Sequence, residues 1–281
     1  MTWCMTQSHP ARARLRRLTL FFAGLGLALA ATAGETVRVS GTGSGVGGMQ
    51  LLANAFMSAH PDIKVDVQPA IGSSGGISAL AAGKLELAVS NRPPNEKEAA
   101  QVAMTAVEYA RTPFVIVVHR GVGVTALSTL ELAALFADGP ATYPNGKRAR
   151  PVLRLNDSTD TSLLKSFSPE VATAVEQATT RSGMFNANTD SEAADMAEKV
   201  PGAFAASTLA LIESERRPLV ALAIDGKRAS GASLAAGLYP FFKPLYWVVN
   251  ANPTAATRQF VAFIGSSAAH QLLSAHGHVP R

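Results

Sequence analysis

Three times along the chain, a strand-like run ends in small residues and continues directly as a helix-like run. The clearest case is residues 71–77, which follow a strand-like run at 64–70. The same change occurs at 41–45 and at 156–161. Strands that alternate with helices predict βα units and a mostly parallel sheet. The chain is therefore predicted to have an α/β fold.

The stretch at 71–77 also predicts an anion site. The first backbone N–H groups of a helix have no partner within the helix, and the helix dipole places its positive end there. Gly72, Gly75 and Gly76 allow the backbone to approach a ligand, while Ser73 and Ser74 are expected to cap the helix and to donate from their hydroxyls. The alternative interpretation is an ordinary serine cap after a turn.

A further strand-like run, at 85–90, ends in the polar residues Ser90, Asn91 and Arg92. In open α/β sheets, ligands bind beyond the carboxyl ends of the strands. We therefore expect these three residues and the loops at 41–45 and 71–77 to meet in one crevice.

Two apolar runs are long enough to leave one sheet and enter another. They lie within residues 106–120 and 238–249, and we interpret them as hinge strands that join two domains. The predicted bounds are 34–112 for the first part of domain I, 113–238 for domain II, and 239–281 for the return segment of domain I.

Residues 1–33 are predicted to be a cleaved signal peptide. Four arginines precede an apolar run at 18–30, and Ala31-Thr32-Ala33 is a small-x-small cleavage pattern. Cleavage after Ala33 would remove 33 of the 281 residues, including the single cysteine, and would leave a soluble periplasmic chain. Removing the four leader arginines from the 25 Lys and Arg leaves 21, against 20 Asp and Glu. Nothing in this balance indicates nucleic acid as a partner.

Several segments together resemble a known family. Residues 39–44 and 70–77, Arg154 with Ser158, and residues 238–249 with 276–280 occur in an order similar to that of PstS-like phosphate-binding proteins, of the type II periplasmic binding protein superfamily. The resemblance covers nearly the whole mature chain. It implies two α/β domains with mixed, mostly parallel sheets joined by two hinge strands. It also implies a monomer without catalysis or cofactor, which delivers an inorganic oxyanion to a membrane ABC-type permease.

The resemblance implies that loops from both domains contact the ligand. The residues carried over, together with their neighbours at the strand ends, are Thr42, Gly43, Ser44, Gly45, Ser73, Ser74, Gly75, Ser90, Asn91, Arg92, Arg154, Ser158, Thr159 and Asp160. No metal site is expected, because His276 and His278 are interpreted as an exposed tail without carboxylates nearby.

Asn91 departs from the family pattern, in which an aspartate follows the third strand. An amide can turn either its oxygen or its NH₂ toward a ligand, so Asn91 is expected to accept both protonated and fully ionised oxyanions. The dissociation constants for phosphate and sulfate would then differ by less than about a hundredfold, or roughly 2.7 kcal/mol in binding free energy. Asn91→Asp would increase this difference by weakening sulfate binding. Asp157 or Asp160 could instead supply the missing acceptor.

Other functions remain possible from the sequence. Sulfate, molybdate or tungstate are alternative ligands for the same kind of site. Residues 72–76 also satisfy G-x-S-x-G, the nucleophile turn of exported serine hydrolases, although this turn follows only the second strand. Residues 43–48 satisfy G-x-G-x-x-G, but the next strand ends in Gln68-Pro69-Ala70 and lacks the acid that a dinucleotide ribose requires.

Overall fold

Twelve strands and eleven α-helices occur in the residues that the structure, a computed structural model, describes: 1–3, 35–137, 139–156 and 158–281. Residues 4–33 of the predicted signal peptide and Asp157 lie outside these described residues. None of the helices in the described ranges is long and apolar enough to cross a membrane.

The elements follow one another in this order. The first group is β1 (Thr36–Gly41), α1 (Gly43–Ala59), β2 (Lys64–Val67), α2 (Gly72–Ala81), β3 (Leu87–Ser90), α3 (Glu96–Gln101) and β4 (Met104–His119). The second is β5 (Ala126–Leu127), α4 (Thr129–Leu135), β6 (Arg150–Arg154), α5 (Thr159–Lys165), α6 (Pro169–Thr179), β7 (Phe185–Ala187), α7 (Asp190–Lys199), β8 (Ala203–Thr208) and α8 (Leu209–Ser214). The last is β9 (Leu219–Ala221), β10 (Ala223–Ile224), α9 (Gly231–Ala235), β11 (Phe242–Asn250), α10 (Ala255–Ile264), α11 (Ser267–Ser274) and β12 (Val279–Pro280).

Ten of the strands form one mixed sheet in the order β2-β1-β3-β11-β4-β8-β6-β7, with β9 and β12 added to β4. The pairs at the two ends of the sheet are parallel: β1 with β2 and β3, and β6 with β7 and β8. Around β4 and β11 the pairs are antiparallel. The α/β prediction is confirmed; within this sheet the parallel pairs lie at the two flanks, and β5 and β10 form a separate parallel pair.

β4 is a continuous strand of 16 residues that serves both flanks. Its first part, Met104 to Pro113, pairs with β11, whereas Phe114 to Val118 pair with β8. Tyr109 and Ala110 lie in the apolar core with Phe56 and Phe260, while Phe114 lies in another core with Phe136 and Phe204. The predicted boundary between residues 112 and 113 falls one residue before the change of partner, and the domain bounds stay a prediction.

The two glycine-rich stretches at 41–45 and 72–76 are mostly helix, not loop. α2 begins at Gly72, where φ is +78° and a side chain would be strained, and its N-cap is Ile71 without a side-chain cap. The prediction that Ser73 or Ser74 caps this helix is therefore wrong. Both serines lie in its first turn, where their own amides and hydroxyls are presented together.

Helix α2 is placed against β1 by contact between backbones. A Cβ on Gly76 would lie 2.9 Å from the Cα of Gly41, and a Cβ on Gly41 would lie 1.9 Å from the carbonyl oxygen of Val89. Gly41 also has φ +148°. Both positions therefore require glycine.

The sequence analysis interprets His276 and His278 as an exposed tail, and this interpretation is wrong. Residues Val279 and Pro280 pair with β4 as β12, and His278 is 1% exposed. Its Nδ1 lies 2.8 Å from the carbonyl oxygen of His276. Burial lowers the pKa of His278 to about 4, because the imidazolium would lose its hydration there.

This burial predicts a loss of stability at mildly acidic pH. The unfolded chain takes up a proton on this side chain below about pH 6.5, whereas the folded chain does so only near pH 4. The free energy of unfolding should therefore fall by about 1.4 kcal/mol per pH unit through this window, or about 2 kcal/mol between pH 6.5 and 5.

Urea unfolding between pH 7.5 and pH 5 measures this slope. His278→Gln, which cannot titrate, should show a smaller decrease than the wild type whatever its own starting stability. Parallel slopes in the two proteins would contradict the assignment.

Candidate functional site

A cavity of about 280 Å³ opens at the carboxyl ends of the strands, between the first turn of α2 and the β6–α5 connection. Ten of the predicted site residues line it: Thr42, Ser73, Ser74, Gly75, Asn91, Arg92, Arg154, Ser158, Thr159 and Asp160. A larger cavity of about 470 Å³ lies elsewhere, between the end of β4 and the α7–β8 turn, and its described walls include none of these residues. The chemistry that the sequence points to is therefore gathered at the smaller cavity.

Four predicted residues do not line the cavity. Ser44 is buried and faces the carboxylate of Asp190. Ser90 forms a local turn with the backbone of Arg92, to which its hydroxyl donates at 2.6 Å. Gly43 and Gly45 pack against neighbouring groups, since a Cβ there would lie within 2.5 Å of the side chains of Ser191 and Val89.

The hydroxyl oxygens of Ser73 and Ser74 both accept hydrogen bonds from the protein. The backbone N–H of Asn91 donates to Ser73 Oγ at 3.0 Å, and Arg92 Nη2 donates to Ser74 Oγ at 2.9 Å. Arg92 is held in turn by Glu98, at 2.7 and 2.9 Å. Since each serine oxygen is occupied as an acceptor, its own hydrogen is free to donate into the cavity.

The inner wall of the cavity is a buried cluster of two cations and two carboxylates. Arg154 Nε lies 3.1 Å from Asp160, and its Nη2 lies 3.3 Å from Asp190. Lys243 Nζ contacts Asp160 and lies 3.2 Å from Asp190. The exposed fractions of the Lys243 and Asp160 side chains are 1% each, so no water shields these charges and the pairing has to balance them.

The ionisable groups of this cluster differ in the direction of their pKa shifts. Burial alone would raise the pKa of Asp190, but Lys243, Arg154 and the Ser44 hydroxyl outweigh it and hold that pKa well below its usual range. Burial, and then the charge of Asp190, raise the pKa of Asp160. Burial opposes the charge of Lys243, but the two carboxylates raise its pKa above the usual value. Asp160 is therefore the first of the two carboxylates to take up a proton.

The Asp190 carboxylate lies at the N-terminus of α1, where the sequence predicts an anion. Its Oδ2 accepts from the backbone N–H of Ser44 at 3.1 Å and from the Ser44 hydroxyl. The Thr42 hydroxyl, with its one hydrogen, lies 3.1 Å from this oxygen and 2.6 Å from Asn91 Oδ1. We call this place the inner position, and the cavity in front of Ser73, Ser74 and Ser158 the outer position.

Arg154 is less free than the sequence suggests. Besides its two carboxylate partners, its Nη1 donates to the carbonyl oxygen of Ala187 at 2.8 Å. Three of its five N–H groups are therefore engaged, which leaves one hydrogen on each terminal nitrogen for a group in the cavity. Ser158 caps α5 by accepting from the backbone N–H of Thr161 at 3.2 Å.

The amide of Asn91 is fixed in one orientation. Its Oδ1 accepts from the Thr42 hydroxyl at 2.6 Å, and its Nδ2 donates to the carbonyl oxygen of Pro244 at 3.1 Å. The residue is 8% exposed. The expectation that it turns either atom toward the ligand does not fit these contacts, because both atoms already have partners within the protein.

Asn91→Asp should therefore act first on stability. The substitution removes the donor to Pro244 and adds a negative charge beside Asp190, so we expect the free energy of unfolding to fall by about 2 kcal/mol. Asn54→Asp, on the exposed face of α1, is the matched control and should change stability by less than about 0.5 kcal/mol. Urea unfolding at pH 7 compares them, and equal stability of the two variants would contradict the fixed amide.

Asp190 and Lys243 are the two charged residues of the site that sequence reasoning missed. Lys243 stands alone as a charge in the apolar run at 238–249, and a lone lysine in a buried strand signals a buried partner. Asp190 follows Thr189, whose side chain caps α7, and so it has the appearance of an ordinary first-turn acid. Its contacts with Ser44 and Lys243, which are distant in the sequence, are visible only in the three-dimensional structure.

The hydrolase alternative has no geometric support. Ser74, the centre of the G-x-S-x-G pattern, accepts from Arg92. The histidines of the described chain that make side-chain hydrogen bonds make them to backbone groups. A nucleophilic serine needs a neighbouring base. In the described residues, no group of three or more His, Cys, Asp or Glu side chains is arranged to hold a metal ion.

Comparison with known proteins gives one family and many similar folds. The family described as the PBP superfamily domain matches residues 28–268. No curated protein matches the sequence. A Clostridium perfringens substrate-binding protein assigned to a phosphate ABC transporter, solved with bound phosphate, is 18% identical with a TM-score of 0.69, covering 88% of this chain and 100% of that one.

Two further solved structures have the same fold. An ABC-type phosphate transport receptor from Vibrio cholerae is 20% identical, with a TM-score of 0.57 over 88% of this chain and 100% of that one. PEB3 with bound L-phospholactate is 11% identical, with a TM-score of 0.57 over 87% and 100%. The family match covers most of the sequence and confirms the resemblance, so the chain belongs to the PBP superfamily.

Proposed function

We propose that this chain binds a tetrahedral oxyanion, with phosphate as the first candidate, in the outer position. The observation that carries the proposal is the pair of serine hydroxyls in the first turn of α2, whose oxygens are occupied by Asn91 and Arg92. The first amides of α2 have no partner within the helix, and Ser73, Ser74 and Gly75 of the same turn line the cavity. Hydrogen bonds to an anion are about twice as strong as those between neutral groups, so this arrangement favours an oxyanion.

The opposite wall supports the same ligand. Arg154 lies there with one free hydrogen on each terminal nitrogen, and Thr159 contributes an exposed hydroxyl. Because the two walls come from different flanks of the sheet, a ligand that contacts both would stabilise the arrangement in which they are close. We propose that the protein uses this closure to present its ligand, without catalysis, as a periplasmic monomer that serves a membrane ABC-type permease.

The similar proteins are consistent with this class of ligand. One holds phosphate, one is named as a phosphate transport receptor, and one holds L-phospholactate, which carries a phosphate group. The cavity of about 280 Å³ is near the lower limit of pockets for small organic ligands. Sulfate, molybdate and small phosphate esters therefore belong in the test beside inorganic phosphate.

Titration calorimetry tests the proposal. The protein is first unfolded and refolded in chloride buffer, so that any oxyanion bound during preparation is removed. Phosphate should give a saturable one-site isotherm. It should also raise the unfolding temperature, because at a phosphate concentration a hundred times the dissociation constant the free energy of unfolding rises by about 2.7 kcal/mol. Sulfate, molybdate and L-phospholactate are run at equal ionic strength. An absence of heat and of thermal shift with all four anions would refute an oxyanion-binding function.

A further inference from the structure

We infer that the Asp190 carboxylate is a built-in ligand of the inner position, an anion site formed by the N-terminus of α1, Arg154 and Lys243. A small free carboxylate such as formate would bind there if the Asp190 side chain were removed. This inference deepens the proposed function. Its first half concerns only the chain's own carboxylate, while the consequence for an external oxyanion rests on that function.

The contacts of Asp190 are those expected for a bound anion. The backbone N–H of Ser44 donates to it at 3.1 Å from the first turn of a 17-residue helix. Lys243 lies 3.2 Å away, and Arg154 lies 3.3 Å away. The Ser44 hydroxyl completes the set. Backbone amide, hydroxyl, ammonium and guanidinium converge on one carboxylate, which is the donor set of an oxyanion site.

The carboxylate reaches this site from a distant part of the chain. Asp190 begins α7, whereas Ser44 belongs to α1, 146 residues earlier, and Lys243 belongs to β11, 53 residues later. The side chain is 6% exposed. Because no local turn brings these groups together, the contact joins the β1–α1 corner on one flank of the sheet to the β7–α7 corner on the other.

The consequence for an external oxyanion is its confinement to the outer position. The two cations of the cluster already face two carboxylates, so an incoming anion meets a wall without net charge instead of two free cations. The ligand then depends on the α2 hydroxyls and amides, together with the remaining hydrogens of Arg154. Asp190 would thus be a residue that determines where, and how tightly, the anion binds.

Chemical rescue of Asp190→Ala with formate tests the inference. The variant should lose about 10 °C in unfolding temperature in chloride, because Lys243 and Arg154 lose a partner. Formate at matched ionic strength should restore part of this loss in a saturable way. Asp190→Asn keeps the space filled and should not respond. Wild type and Asp62→Ala, which removes an exposed carboxylate, should show only the small effect of salt.

Equal effects of formate and chloride on Asp190→Ala would overturn the inference, as would an equal formate response in Asp190→Asn. If Asp190→Ala does not fold in chloride, the yield of folded protein after refolding in formate or chloride becomes the measurement, and equal yields overturn it. Phosphate calorimetry on the wild type is independent of this test. A formate-rescued variant of a protein that binds none of the four anions would refute the proposed function while the inner position stands.

Discussion

Replacement of Lys243 by methionine is expected to lower the free energy of unfolding by about 3–5 kcal/mol. Methionine has a similar length and fills the same space, so the loss would come from charge and not from a cavity. Without the ammonium group, Asp160 and Asp190 would share a buried site with Arg154 as their remaining cation. A buried charge without its partner is costly because neither water nor a counter-ion replaces the lost contact.

Two companion variants separate this effect from a general cost of mutation. Lys84→Met, in the exposed connection after α2, should change stability by less than about 0.5 kcal/mol. Lys243→Met combined with Asp160→Asn leaves Arg154 and Asp190 as a balanced pair, so the double variant should recover part of the loss. Urea unfolding at pH 7 measures all three. If Lys243→Met were as stable as Lys84→Met, the buried cluster would not contribute as described.

Removal of both hydroxyls in Ser73→Ala, Ser74→Ala is expected to weaken phosphate binding at least about a hundredfold. Each hydroxyl donates one charge-assisted hydrogen bond in the proposed complex, and such bonds contribute about 1.5–3 kcal/mol each. The free energy of unfolding should fall by only about 1 kcal/mol, which is the cost of the acceptor that the backbone N–H of Asn91 loses. No larger loss is expected, because neither serine caps α2. Binding and stability are therefore expected to change by very different amounts.

Ser78→Ala provides the matched control, since Ser78 lies on the same helix with its side chain exposed. Its dissociation constant for phosphate should equal that of the wild type in calorimetry. A double alanine variant that binds phosphate as tightly as Ser78→Ala would remove the α2 hydroxyls from the site and would leave only an ordinary helix start at this place.

The sequence predicts the fold well because each strand and helix has its own local signal. Ser128 and Glu131 form the capping box that starts α4, as their spacing suggests. The apolar run at 106–120 corresponds to β4. Helix starts rich in glycine are harder to place, since glycine has no strong preference for loop or helix start. For that reason α1 and α2 begin several residues before the points that their apolar periodicity indicates.

Some residues of the site could likewise be predicted from local sequence patterns, and others could not. Ser73, Asn91 and Arg154 could be found because each lies at or shortly after the end of a strand, and the ends of neighbouring strands meet. Asp190 could not be found in this way. Its role depends on a contact with Ser44 across the sheet, and no local pattern encodes a pairing between such distant residues. Buried charge networks are therefore the part of this site that only the three-dimensional arrangement defines.

The contact between Gly41 and Gly76 has a consequence for protein engineering. Because α2 is seated on β1 by backbone atoms, its amides keep their position whatever side chains stand at 73 and 74. Recognition can then be altered at these two positions, for example toward larger or less charged anions, while the frame that holds the helix is left intact. A library varied at residues 73, 74 and 159 with both glycines fixed would explore new ligands on an unchanged scaffold, whereas one that varied the glycines would mainly sample damaged folds.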